Sequence, residues 1–404
     1  MSPLSPFRPH DAAEIADFLR AQSDTGSPVT LRGGGSKATF GRPPPDDAIA
    51  VELAEIAGIT LYEPDELVLT AMAGTSMAEI AAAVAERDQC LAFEPPEFGP
   101  LFGHNAASTL GGSVASGWSG PRRIRAGATR DHVLGAQAIG GDGQLFKSGG
   151  RVVKNVTGFD LPKLLTGSHG TLAVLTEITI KVMPAAEATH TMIVQGLDDT
   201  AAIRLMNDLM GGPYEIAAAA HLPAASAARL GMAALAGASA TLVRLEGFGP
   251  SVADRRAALE ARIGTLHPFI AAESQQAGRL WQSVRDVAPL VPADAVLWRL
   301  ALPATDAAAT VGSLAAQLPV EAYYDWGGGL VWLALPPAAD AHAGLVRGAL
   351  PAGHATLMRA SADTRRTVPV FQPQPDALAA LSRRVKAAFD PRGILAPRFM
   401  HGEA

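Results

Sequence analysis

Val29-Thr30-Leu31-Arg32-Gly33-Gly34-Gly35-Ser36-Lys37 is the stretch from which the rest of the chain can be read. Val29–Leu31 is apolar and β-branched and predicts a short strand; three consecutive glycines follow one residue later. Without Cβ atoms, such a turn lets successive main-chain N–H groups converge on one point and form a nest for anionic oxygens. Arg32 and Lys37 bracket the nest with positive charge, which suits a phosphate or pyrophosphate. A triple glycine standing alone is equally an ordinary flexible turn, so its partners along the chain decide the matter.

A chain of 404 residues can bury a large core and should divide into two or three domains. Hydrophobic residues make up 48% and charged residues 18%, the balance of a folded globular protein. A formal charge of −6 with no Lys/Arg tract argues against nucleic-acid binding. Cys90 is the sole cysteine. The chain therefore forms no internal disulfide and cannot ligate an iron–sulfur cluster, which would have to sit on another chain. Cys90 follows a helical pattern and precedes Leu91 and Phe93, which predicts a buried structural side chain. Met1–His10 lacks the basic and apolar regions of a signal peptide. The most apolar stretch, residues 216–243, is interrupted by His221, Pro223 and Arg229 and does not read as a membrane span. A cytoplasmic protein is expected, reaching a membrane only through partners.

Asp11 and Glu14 form a capping box ahead of a helix with Ile15, Phe18 and Leu19 on one face. Strands are predicted at Val29–Leu31, Ala48–Leu53 and Leu67–Ala71, and Ser76 with Glu79 caps a helix reaching Arg87. Residues 95–120, rich in small side chains but without periodicity, read as a long functional loop. Strand Val133–Ile139, a hairpin at Gly140–Gly143, a short helix capped by Asp160 and the alternating strand Leu172–Val182 complete a first domain, residues 1–185. Residues 186–370 change rhythm. Strand Met192–Gln195, helix 199–210, strands Glu215–His221 and Ala240–Gly247, and a helix capped by Ser251 and Asp254 come first. Strand Val296–Leu302, helix 306–318, strands Val320–Trp326 and Leu330–Leu335, helix 339–348 and strand Ala355–Arg359 follow. The βαββαβ order predicts a ferredoxin-like antiparallel sheet with two related halves. Residues 371–404, with helix 376–389, are expected to pack back on the first domain. Exposed apolar side chains near Trp326 and Trp332 are expected at a partner surface.

Two further small-residue clusters lie downstream of the first. One is Thr109-Leu110-Gly111-Gly112-Ser113, running on through Ala115-Ser116-Gly117-Trp118-Ser119-Gly120; the other is Gly167-Ser168-His169-Gly170-Thr171-Leu172 at the mouth of a strand. Side chains this small imply a flat, bulky molecule against the backbone. In order and spacing these motifs, with Glu94-Pro95-Pro96, resemble the vanillyl-alcohol-oxidase-type (PCMH-type) FAD-binding domain. A closer likeness rests on Glu94-Pro95-Pro96-Glu97-Phe98-Gly99, Ser119-Gly120-Pro121-Arg122-Arg123, Arg130-Asp131-His132-Val133-Leu134-Gly135, Val153-Lys154-Asn155-Val156-Thr157-Gly158-Phe159-Asp160-Leu161 and Phe389-Asp390-Pro391-Arg392-Gly393-Ile394-Leu395. Together these are similar to the FAD-binding E-subunit family of bacterial glycolate oxidase (glycolate dehydrogenase).

The resemblance implies an α+β chain in which a two-part PCMH-type FAD-binding domain is followed by the ferredoxin-like domain as a cap. It implies that Gly33, Gly34, Gly35, Ser36 and Lys37, with Arg32 beside them, hold the pyrophosphate of FAD. Pro95, Gly111, Gly112, Ser116, Gly117 and Gly120, in the segment opened by Thr109 and Leu110, would border the ribityl chain and isoalloxazine. Gly170, Leu172 and Val174 would line the adenosine end. Relatives with covalent flavin carry a histidine near the first glycine loop; Ser36-Lys37 stands there, so non-covalent, dissociable FAD is expected. Trp118 is expected against the flavin or in the core.

Related flavin dehydrogenases of 2-hydroxy acids place histidines in a glycine-rich motif of the second domain and in a Glu-His-Gly, because a base there needs a pKa near working pH. Here the corresponding turn reads Asp325-Trp326-Gly327-Gly328-Gly329-Leu330-Val331-Trp332, and no Glu-His-Gly occurs. The ten histidines show no metal-ligand spacing, so no metal is expected. His104 and His169 lie in flavin-side loops, where a structural hydrogen bond is the commoner role, and the catalytic residues stay unassigned. Arg122, Arg123, Lys154 and Lys163 are candidate counter-charges for reduced flavin. The expected function is that of an FAD-binding subunit in a multi-subunit glycolate dehydrogenase. It would relay electrons or support assembly beside a sister flavoprotein and an iron–sulfur subunit that feeds a quinone. A self-sufficient FAD-dependent dehydrogenase of a small 2-hydroxy acid such as D-lactate is the alternative. A P-loop ATPase or nicotinamide dehydrogenase lacks support, since no Gly-x-x-x-x-Gly-Lys-Ser/Thr occurs and Gly33–Lys37 does not follow Gly-x-Gly-x-x-Gly. Intact glycine sites argue against a binding module that has lost its cofactor.

Overall fold

Strand Val29–Arg32 carries the glycine loop and is gripped on both edges. One edge pairs in parallel with Ile49–Glu52, Val29 opposite Ile49 and Arg32 opposite Glu52. The other takes Leu395 in a parallel bridge, with Val29 N–H donating to Ile394 O and Ala396 N–H to Val29 O, both at 2.8 Å. The computed structural model describes residues 5–151, 158–235, 237–290 and 294–400; Val153–Thr157, Lys154 included, lie outside the described residues. The chain folds as two units, Met1–Ser119 with Gly127–Ala185 and Pro373–Ala404, and Ala186–Gln372 with Gly120–Ala126. The seven-residue excursion of Gly120–Ala126 into the second unit is not visible as a composition shift in the sequence.

In the first unit, helix Ala12–Thr25 starts at Asp11, whose carboxylate accepts from Glu14 N–H at 2.9 Å. It buries Ile15 and Leu19 against Val29, Val51, Ile394 and Leu395. The larger part is a five-stranded antiparallel sheet ordered Ile59–Glu63, Val68–Met72, Ala173–Lys181, Val133–Gly140, Leu145–Gly149. Helices Met77–Ala85 and Leu110–Ser116 supply Ile80, Val84, Leu110 and Val114 to its core. Strand Ile59–Glu63 was not expected, and its half-exposed side chains explain why the alternation is faint. Helix Leu110–Ser116 falls inside the expected loop. Its glycines and serines are poor helix formers, and tertiary burial of Leu110 and Val114 with a Thr109 cap holds it instead. Cys90, expected buried, is half-buried in the short strand Gln89–Cys90.

The second unit is an eight-stranded antiparallel sheet ordered Phe269–Ala272, Ala188–Gln195, Ala240–Gly247, Ala218–Leu222, Glu321–Asp325, Leu330–Leu335, Val296–Ala301, His354–Arg359. Each half has βαββαβ order with its second strand at the shared edge, so two ferredoxin-like modules meet where His221 pairs with Tyr324. A polar clasp pins this joint. Fully buried His221 holds Thr241 Oγ1 at 2.9 Å and Asp199 Oδ1 at 3.3 Å, and Tyr324 O–H donates to Asp199 Oδ2 at 2.5 Å. Strand Phe269–Ala272 and the amphipathic helix Ser274–Arg285 were not expected. The helix Gly249–Gly264 begins ahead of Ser251, with Pro250 in its first turn where a missing N–H costs nothing. Trp326 and Trp332, expected near an exposed surface, are 8% and 3% exposed.

Helix Asp376–Phe389 returns to the first unit, packing Val385 and Phe389 on the five-stranded sheet. Buried Asp390 then accepts from Ile394 N–H at 3.1 Å, from Leu395 N–H at 2.8 Å and from Lys386 Nζ. Lys386 also donates to Thr171 O at 2.6 Å and Leu395 O at 2.8 Å. This cluster sets the edge against which Val29–Arg32 is laid. Removing one partner of a buried pair strands the other charge, so Asp390→Ala should cost about 3 kcal/mol or more in denaturant unfolding of the first unit. A loss below about 1 kcal/mol, the range of exposed pairs, would contradict this role.

Candidate functional site

Strand Val29–Arg32 delivers its glycines to a cleft that is open to solvent. Arg32 through Ala38 form one wall; Ala73, Thr109, Gly111, Gly112, Ala115 and Ser116 form the second; His169, Gly170, Ala173 and Leu175 form the third. Phe40 and Phe399 also line it, and none of the lining residues is a carboxylate.

The glycines are required by distance. A Cβ on Gly33 would sit 2.2 Å from Thr109 Oγ1, and one on Gly34 would sit 2.0 Å from Ala107 O. Gly35 takes φ +86°. Among the described residues, none accepts a hydrogen bond from the main-chain N–H of Gly33, Gly34, Gly35, Ser36 or Lys37. Partnerless donors in a row beside a cleft are what an anion requires.

Lys37 closes the row. Its Nζ donates to Ser36 Oγ at 3.3 Å and Ser108 Oγ at 3.2 Å, and the two hydroxyls lie 3.1 Å apart. Burial pushes the ammonium down to about 8, with Glu97 opposing the shift. His169, at φ +54°, sits among the rings of Phe40, Phe399 and Trp118, at centroid distances of 5.5, 5.4 and 5.9 Å. Burial first and the Lys37 charge second push its imidazole down to about 4, so the ring is neutral near pH 7. Trp118 also packs against Phe40 and Phe98 and is a member of this aromatic cluster. Nε2 of His104 is buried with no hydrogen-bond partner among the described residues.

Of the residues singled out in the sequence, Arg32, Gly33, Gly34, Gly35, Ser36, Lys37, Thr109, Gly111, Gly112, Ser116 and Gly170 line the cleft together. Pro95 is half-buried and does not line it. Leu110 and Leu172 are buried in the core of the five-stranded sheet, and Val174 points into the core behind the glycine strand. Ala173 and Leu175 line the wall instead, one step out of phase with the expected pair. Gly117 ends helix Leu110–Ser116 at φ +64°, and Gly120 O accepts from the Trp326 indole N–H at 3.0 Å in the second unit. Arg122 pairs with Glu246 at 2.7 Å, Arg123 lies over Trp326, and Lys163 pairs with Asp160 at 2.8 Å; none of them lines the cleft. Phe40 and Phe399 went unassigned as lining residues, while His169, expected in a flavin-side loop, does line the cleft. Gly41 carried a faint signal for Phe399, since a Cβ there would lie 2.2 Å from that ring.

Comparison with known proteins accords with this geometry. A profile described as an FAD binding domain matches residues 3–149. The glycolate oxidase subunit GlcE of Escherichia coli (strain K12) is 33% identical over 400 residues, 98% of each chain. A D-lactate dehydrogenase of Archaeoglobus fulgidus is 30% identical over 177 residues, 44% of this chain and 38% of that protein. The solved structure of p-cresol methylhydroxylase superposes with a TM-score of 0.72 at 12% identity, covering 98% of this chain and 88% of that one. That likeness shows the fold, a PCMH-type FAD-binding architecture with an antiparallel-sheet second domain. The chain belongs to the family of the glycolate oxidase subunit GlcE and is an FAD-linked oxidoreductase.

Proposed function

We propose that this chain carries dissociable FAD beside Gly33–Lys37 and works as a flavin subunit of an assembly that oxidises glycolate to glyoxylate. The observation that carries the reading is the row of main-chain N–H groups from Gly33 to Lys37, without a partner among the described residues, beside a cleft whose described lining holds no carboxylate. Those N–H groups and the Lys37 ammonium would take the anionic diphosphate, with Gly111, Gly112, Ser116 and Gly170 leaving room for the flat parts of the molecule. FAD, when bound, would supply the electron acceptor that no side chain here provides. The residues of the chain bind it, orient it and hold a counter-charge near it.

Partners are part of the proposal. The likeness to a named glycolate oxidase subunit over 98% of both chains supports a multi-subunit setting. With Cys90 alone, an iron–sulfur relay belongs to another subunit. The Asp325–Gly329 turn holds no histidine, which favours a relay or assembly role for this flavin and a substrate base on a sister flavoprotein. The shorter likeness to a D-lactate dehydrogenase supports the alternative, a self-sufficient dehydrogenase. No helix among the described residues is long and apolar enough to cross a membrane, and membrane contact is proposed only through partners.

Gly34→Leu drives a side chain onto Ala107 O and should yield colourless protein, whereas the parent chain is yellow and releases all its FAD to the supernatant on acid precipitation. Flavin retained by the variant, or attached to peptide in the parent, would refute the nest or the dissociable linkage. The Lys37 ammonium gives a pH test. Its pKa of about 8 in the free chain must rise when an anion arrives. FAD affinity should therefore fall as pH climbs above about 8, by up to roughly tenfold per unit. Free-chain stability should move the other way, rising between about 8 and the unfolded lysine value near 10.4. Lys37→Met should weaken FAD binding and flatten the profile; an unchanged slope would remove Lys37 from the site. Mixed anaerobically with glycolate, the isolated yellow chain should bleach little, and rapid bleaching would promote the self-sufficient alternative.

A further inference from the structure

Downstream of the Asp390 cluster the chain changes character within one residue. Leu395 is tied down at both main-chain groups, its N–H donating to Asp390 and its O accepting from Lys386, each at 2.8 Å. Ala396 N–H still donates to Val29 O at 2.8 Å. Ala396 and Arg398 then take φ +41° and +64°, a left-handed backbone that L side chains disfavour. Ala396 also precedes Pro397, whose ring drives the preceding residue toward extended backbone. Residues held in this way keep their conformation only where surrounding contacts over-determine it.

Contacts of that kind sit at the far end of the segment. The Phe399 ring lies 5.9 Å from the Phe40 ring, edge-on at 66°, and 5.4 Å from the His169 ring. Gly41 is packed flush against it, since a Cβ there would lie 2.2 Å from the ring. One residue on, Met400 Sδ accepts from Thr171 Oγ1 at 3.7 Å. Phe399 lines the cleft beside Gly33–Lys37 and, again with Phe40, a smaller pocket that takes in Thr30, Arg42, Pro44 and Pro397. The ring is thus a partition between two spaces, carried on backbone that is anchored at Leu395 and strained beyond it.

We propose that Ala396–Met400 is a strap over the cofactor cleft, with the Phe399 ring as its latch. Seated between Phe40 and His169, the ring retains the ligand of the cleft; swung toward the smaller pocket, it lets that ligand enter or leave. A phenyl ring has no hydrogen bond to break, so the movement strands no buried polar group. Release of the ring also relieves the backbone at Ala396 and Arg398, which gives the segment two arrangements rather than a continuum. That the retained ligand is FAD rests on the proposed function above.

The test measures FAD release after rapid dilution and FAD association by stopped flow, both from flavin fluorescence. Phe399→Ala should speed release at least about tenfold without slowing association, because a latch hinders passage in both directions; Phe399→Tyr, which keeps the ring, should restore slow release. Release unchanged in Phe399→Ala, or association slowed in step with faster release, would overturn the strap, the second result making the ring a plain binding surface. Should Phe399→Ala lose its fold by circular dichroism, the parent chain decides. Its Arg398–Phe399 bond lies within the strap, and tryptic cleavage there, followed by mass spectrometry, should slow at least about tenfold when FAD is saturating. Equal cleavage with and without FAD would overturn the proposal. A parent chain that takes up no FAD would sink the flavin reading and the strap together, whereas FAD held equally long with and without the ring would sink the strap alone.

Discussion

The approach of the Gly33–Gly34 backbone to the segment 107–109 is the constraint on which the first unit depends. With Ala107 O where a Gly34 Cβ would be, at 2.0 Å, no other residue fits without moving one of the two segments. Among the described residues the N–H groups of Gly33 to Lys37 have no protein acceptor, and these residues line the cleft. The close approach also places Ser108 beside Ser36, so that the Lys37 ammonium finds two hydroxyls rather than a carboxylate. The result is a site with surplus donors and surplus positive charge in a protein of net charge −6. The bias toward an anion is local, and the composition as a whole gives no hint of it.

The remote C-terminus holds that arrangement in place. Asp390 and Lys386 tie the tail to Thr171, Ile394 and Leu395, and the tail in turn pairs with Val29. Phe399 then reaches the cleft wall from the same segment. The second unit solves a different problem. Two ferredoxin-like modules share one sheet; one face gathers the larger apolar core, and the other also buries apolar side chains such as Leu242, Leu297 and Trp332 while carrying Arg244, Glu246 and Arg299, with Arg122 paired to Glu246.

The parts of this fold that were legible in the sequence are those where chemistry leaves one choice of residue. The glycine loop, the Asp11, Ser76 and Asp160 caps and the repeated βαββαβ rhythm are of that kind. Less legible were features settled by packing. Along Ala173–Lys181 both faces are apolar, because Val174 serves one core while Ala173 and Leu175 serve another, so alternation could not say which parity meets the cleft. Helix Leu110–Ser116 was hidden by its own glycines and serines. Trp326 read as exposed because it precedes a strand in a glycine turn, and only the structure brings Gly120, Arg123 and Arg299 to its ring.

Because the account turns on main-chain amides gripping a diphosphate, the most direct measurement compares ligands that differ only in that group. Flavin-free chain would be titrated with FAD and with riboflavin, following flavin fluorescence, with ADP as competitor. FAD should bind stoichiometrically, riboflavin weakly, and ADP should displace FAD. Riboflavin binding as tightly as FAD, with no displacement by ADP, would mean that the grip lies on the ring system and that the Gly33–Lys37 loop is not the anchor.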